Sequence, residues 1–209
     1  MGLFDQVVLL ITGLGAIYLI WRFVGRYGQD KGLYDVYYLI GFVVLLVSGL
    51  LLIFLGYDIL ASPWVLTVAS LIPLGISLGI SNQYYPAWKK AYAWFALIGF
   101  LAIAFTSVGG SSLKKFAVPL FHGVAGMLIF LGPIIATIKD RSSNGFYWVG
   151  IGGALIGIGG IALSFLSADS QLLFFSKEFV FTILAPLLLL MTAAFALGFN
   201  QEFRQGMPA

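Results

Sequence analysis

The 209-residue chain has no cysteine, a single histidine and few charges, with 8 acidic and 11 basic residues making up 9% of the whole. A soluble domain carries about 25% charged residues, so there is too little charge here to cover a water-facing surface. Without cysteine there are no disulfides, thiolate metal ligands or thiol catalysis, and the redox compartment stays open. One histidine excludes a bis-histidine haem and any multi-histidine metal site within the chain. What is abundant is apolar: 61% hydrophobic residues, 16% aromatic, 26 glycines and a mean hydropathy of +1.03. The chain therefore reads as an integral membrane protein, which excludes a soluble enzyme, a secreted disulfide scaffold and a nucleic-acid binder. Its pI near 9.1 reports orientation in a membrane rather than affinity for a polyanion.

A helix needs about 20 mainly apolar residues to cross the hydrocarbon core. Seven stretches qualify: residues 7–23, 36–55, 63–80, 91–108, 116–138, 146–166 and 179–199. The runs are continuous rather than alternating, which excludes a transmembrane β-barrel. The expectation is an all-α, polytopic protein with a single transmembrane domain of seven helices. Residues 1–6 hold no basic residue, and no small-x-small site precedes the charged segment after Phe23. The first span is accordingly read as retained rather than cleaved.

Basic residues set orientation. Arg22, Arg26, Lys31, Lys89, Lys90, Lys139, Arg141 and Arg204 fall on one side of the seven spans, and Lys114, Lys115 and Lys177 on the other. The richer side is read as cytoplasmic, which puts the N-terminus outside and the C-terminus inside the cell membrane. Trp21, Trp88, Trp94 and Trp148 crowd the same ends. An interfacial aromatic belt accounts for them, and a docking surface or quinone-level pocket is the sharper alternative.

Laying spans one to three over spans five to seven superposes several features. Thr12-Gly13 falls on His122-Gly123, Tyr38 and Gly41 on Tyr147 and Gly150, Pro73 on Pro186, and Asn82-Gln83 on Asn200-Gln201. Two parallel three-helix repeats joined by one helix resemble, in span count and order, the SWEET sugar facilitators and the vitamin-precursor transporters of the PnuC type. The Pro-Gln pairs of the SWEET family are absent, and no motif matches residue by residue. The resemblance implies a 3+1+3 architecture.

Intramembrane ionisable groups are the default functional pointers in a bilayer, and Arg22 is the only charge within the seven runs. The lack of any acidic residue or lysine there argues against proton or cation coupling. The lack of a lysine in residues 179–199 excludes a retinal Schiff base. His122 is the candidate cofactor-binding residue. It could ligate one haem or chlorophyll metal or hydrogen-bond a quinone, and its plainer reading is a bonded core histidine. Trp21 and Arg22 read as a headgroup anchor. Asn82, Gln83, Asn200 and Gln201 read as helix caps or as the polar walls of a vestibule. Gly150, Gly153, Gly157 and Gly160, with GxxxG spacing between the middle two, read as a packing face, either within the chain or toward another subunit. Pro119, Pro133 and Pro186 are expected to kink their helices.

No metalloprotease, phosphate-loop or serine–histidine signature appears, so catalysis is not expected. Two functions of different class remain. The first is a non-catalytic subunit of a larger membrane complex, respiratory or photosynthetic, with lipid and other subunits as partners. The alternative is a small-solute facilitator of 3+1+3 architecture.

Overall fold

A computed structural model describes residues 1–167 and 176–205. It is all-helical, with no strand among the described residues. The elements are α1 (Leu3–Asp30), α2 (Leu33–Leu55), a short 3-10 turn (Tyr57–Ala61), α3 (Pro63–Ala69), α4 (Leu71–Tyr84), α5 (Lys89–Val108), α6 (Lys114–Ile138), α7 (Tyr147–Ser167) and α8 (Lys177–Gln205). Six helical stretches among the described residues are long and apolar enough to cross a membrane, with Pro63–Tyr84 counted as one of them. α7 adds a shorter apolar stretch, Tyr147–Gly160. The chain is a multi-pass helical protein suited to a bilayer.

Local chemistry sets the boundaries. The Gly2 N–H donates to the Asp5 carboxylate at 3.1 Å, satisfying one of the unpaired donors that open α1. α2 stops at Gly56, whose φ of 73° suits a residue without Cβ. Pro63 starts α3 at a position where its missing N–H is no loss. The third run, read from sequence as one span over 63–80, is divided at Ser70 and continues to Tyr84. Pro73 supplies no N–H to the Ala69 carbonyl, and Ser70 Oγ donates back to the Thr67 carbonyl at 2.7 Å.

The helices form a closed circuit. α1 packs on α2, α2 on α4, α4 on α6, α6 on α7, α7 on α8, and α8 returns to α1. α5 stands outside it, against α3, α4 and α6. Burial agrees: 56% of the apolar window in Pro63–Tyr84 is buried, against 22% in Lys89–Val108.

The half of the bundle nearer Arg22 and Arg26 holds a continuous aromatic core. Phe23, Tyr38, Phe42, Phe195 and Phe199 are fully buried. Their centroids approach to 4.9 Å between Phe23 and Tyr38 and 5.0 Å between Phe23 and Phe199, the second pair edge to face. Each such pair contributes about 0.5–1.5 kcal/mol beyond the area it buries. This layer makes the basic half dense.

Candidate functional site

The opposite half is hollow. A cavity of about 560 Å³ lies inside the circuit, within the range of about 300–1,000 Å³ usual for small-molecule sites. Its deepest residues on α1 and α8 are Ala16 and Met191. One turn further, Leu19 and Phe195 belong to the packed core, so the cavity stops at the aromatic layer. From there it extends to the end of the bundle that carries Tyr57, Asp58 and Lys114.

Most of the wall is aliphatic, including Leu45, Leu52, Ile72, Leu184 and Leu188. The polar exceptions come from several helices. Thr12 on α1 is already bonded, donating to the Val8 carbonyl at 2.9 Å. Ser48 on α2 is half-buried, and Ser107 lies near the end of α5. His122 lies two turns into α6, and Gly160 on α7 makes room for it: a Cβ there would stand 2.8 Å from the imidazole Cδ2. Two sequence-predicted site residues thus meet at one point of the wall.

Three wall residues contain a buried polar atom with no hydrogen-bond partner among the described residues: Tyr57 Oη, Ser107 Oγ and His122 Nδ1. An unsatisfied buried group costs about 1–3 kcal/mol, and buried polar atoms of this kind call for an explanation. The Tyr57 ring stacks on Phe181 with centroids 5.0 Å apart. Burial first, and the Asp5 carboxylate second, push its phenol up to about 12, so it is a hydrogen-bond donor at neutral pH. The rim carries one charge of each sign, the exposed Asp58 and the half-buried Lys114. No group of His, Asp and Glu able to hold a metal ion occurs among the described residues.

The basic end is closed by a polar network over the aromatic layer. Arg26 Nε donates to Asp35 Oδ1 at 2.7 Å, and Nη2 approaches the same oxygen without hydrogen-bond alignment. The guanidinium lies 5.1 Å from the ring centroids of Phe23, Tyr34 and Phe203. This corrects the expectation that Arg22 is the only charge inside the bundle. α2 begins at Leu33, ahead of the predicted start at residue 36, and carries Asp35 fully buried in its first turn. α1 runs on to Asp30, which brings Arg26 into the helix. Desolvation is tolerable here because the two charges meet each other and the guanidinium also lies over four rings, the fourth being Tyr38 at 6.0 Å.

Arg22 is also bonded rather than only snorkelling. Its Nη1 donates to Tyr18 Oη and to Asn200 Oδ1, each at 3.0 Å, and Tyr18 Oη donates to the same amide oxygen. Trp21 is exposed. Of the four amide candidates, Asn200 is held by these bonds and Gln83 accepts from Tyr38 Oη at 3.1 Å. Asn82 is half-buried, and Gln201 is exposed and folded over Gly145. Tyr84 Oη donates to Glu202 at 2.6 Å, and the other oxygen of Glu202 accepts from the Ser143 N–H. These bonds tie α1 and α4 to α8, α2 to α4, and α8 to the α6–α7 connection.

The α7 glycines meet neighbouring helices of the same chain. A Cβ on Gly153 would lie 2.5 Å from the Ile129 carbonyl carbon, and one on Gly150 2.7 Å from the Phe130 carbonyl oxygen, both on α6. Gly157 has open space, with its own Cα 3.7 Å from the Cβ position of Gly126. Gly152 packs on Phe195 and Gly159 on Leu187, both on α8.

The pairs superposed by the candidate repeat occupy unlike surroundings. Tyr38 is fully buried and Tyr147 exposed. Gly41 packs on α4, the last helix of its half, whereas Gly150 packs on α6, the first of its own. Sequence reasoning missed Tyr57, Ser107, Arg26, Asp35 and Glu202. Only Asp35, an acid one residue ahead of an apolar run, gave a usable signal.

Fold and cavity together define a class: a multi-pass helical membrane protein with an internal, mainly apolar chamber. No protein family, no curated protein and no solved structure matches the chain.

Proposed function

We propose that this chain is a non-catalytic membrane protein that binds a small lipophilic molecule in its internal cavity. It crosses the cell membrane seven times, α7 included, with the basic end cytoplasmic and the cavity in the outer half of the bilayer. The observation that carries this reading is a chamber of about 560 Å³ that ends at an aromatic layer and has three orphaned polar atoms in its wall residues. Apolar walls with a few polar groups are what a small-molecule site presents.

A subunit of a larger complex, packing through glycine-rich and aromatic faces, loses one of its supports, since Gly150, Gly152, Gly153 and Gly159 of α7 pack on α6 and α8 of the same chain. Facilitated passage of a solute is a second reading with its own support. The bonds of Asn200 and Glu202 join the two three-helix halves at the closed end, where a gate would stand. The circuit in which α1 meets α8 and α4 meets α6, with α5 outside, is what a two-fold relation between halves produces.

The binding reading is tested by organic extraction of protein purified in mild detergent. A stoichiometric lipophile, lost when Ser48→Phe fills the cavity, supports it. Uptake into vesicles that fails in the doubly altered Asn82→Ala and Asn200→Ala protein would favour the facilitator instead.

A further inference from the structure

The buried, unpartnered polar groups of the cavity wall fall into two tiers. Tyr57 and Ser107 lie at the outer end, Ser107 being the penultimate residue of α5 and Tyr57 following α2. His122 stands eight residues into α6 beyond Lys114, and Ser107 stands eight residues along α5 from Gly99, which faces Phe121 beside His122; either count separates the tiers by about 12 Å at about 1.5 Å per residue. The wall between them is mainly aliphatic, with Leu52, Val118 and Leu184, interrupted by the self-bonded Thr12 and the half-buried Ser48. Each tier holds a buried, unpartnered atom. A turn of the Ser107 side chain, or a half-turn of the imidazole, presents that atom to a guest.

None of these groups is a fixed charge, and a full charge placed against aliphatic walls is heavily penalised. The rim offers no net compensation, since Asp58 and Lys114 oppose one another. A purely hydrocarbon guest would leave both tiers unsatisfied. We infer that the cavity takes a neutral, elongated molecule with a hydroxyl or carbonyl oxygen at each end, about 12 Å apart. This rests on the binding reading above.

The test uses the full chain in lipid nanodiscs, titrated with decane-1,10-diol, decan-1-ol and decanoate, with occupancy read by native mass spectrometry. Lipophilicity alone ranks decanol above the diol. Two tiers rank the diol above decanol by about tenfold, the gain of one further hydrogen bond to an orphaned group, and decanoate last. His122→Leu, and Ser107→Ala combined with Tyr57→Phe, should each bring the diol to the level of decanol while leaving decanol unmoved. Ser107→Ala and Tyr57→Phe each remove one unpartnered oxygen, so the pair separates recognition from folding. Decanol binding as tightly as the diol, decanoate binding best, or variants that weaken all probes alike would overturn the inference and leave the binding reading standing. If no probe bound, or Ser48→Phe left every titration unchanged, the binding reading itself would fall.

Discussion

Alanine substitution along the glycine face of α7 separates close helix packing from mere sequence pattern. Gly153 and Gly157 form one GxxxG pair, yet their surroundings differ. An alanine Cβ at Gly153 would stand 2.5 Å from a backbone carbon of α6, whereas at Gly157 nothing lies within 4 Å. Ordinary contact begins near 3.4 Å, so Gly153→Ala is short by about 0.9 Å and must push two backbones apart. Overpacking against backbone costs about 1–3 kcal/mol. Gly157→Ala meets no such obstacle and gains helix propensity of at most about 1 kcal/mol. Thermal unfolding of both variants in one detergent should place Gly153→Ala well below the parent and Gly157→Ala level with it or above. Equal effects, or a larger loss at Gly157, would refute the account of α7 packing on α6. A changed oligomeric state with an unchanged unfolding temperature would point to an interface between chains instead.

Further outcomes concern the closed end and the outer tier. Asp35→Ala leaves Arg26 buried without its partner and should cost about 3–5 kcal/mol, with much of it recovered in the Asp35→Ala, Arg26→Leu double variant; chemical unfolding of the three proteins measures this. Asn200→Ala takes the shared acceptor from the half-buried Tyr18 and Arg22, which keep only their bond to each other, and should cost about 1 kcal/mol, read by thermal unfolding. Tyr57→Phe removes an orphaned hydroxyl and should be neutral to stabilising at pH 7. Because the folded-state phenol is raised to about 12 while the unfolded one titrates near 10, the parent loses stability as pH rises above about 10. Unfolding profiles from pH 8 to 11 should show a shallower decline for Tyr57→Phe.

The apolar runs were legible because a bilayer demands them. The expected helices at 36–55, 91–108 and 116–138 appear within a turn of α2, α5 and α6. The division at Ser70 was not read, although Pro73 announces it. Hydropathy counts a charge as outside, which leaves Arg26 and Asp35 beyond the ends of the runs 7–23 and 36–55, and a pair that neutralises itself beneath aromatic rings defeats that rule. His122 stood out as the lone imidazole. The cavity around it was illegible, since its wall is assembled from α1 to α8 and no local pattern encodes a volume that side chains leave empty. The glycines were read as close-packing positions, and only the circuit shows which helix each one meets.

The most direct measurement is native mass spectrometry of the intact protein released gently from its own membrane, with the Ser48→Phe variant beside it. The account predicts one neutral lipophilic adduct per chain in the parent, and none in the variant. A parent at its bare mass, unchanged by added lipophiles, or an adduct that survives Ser48→Phe, would contradict it.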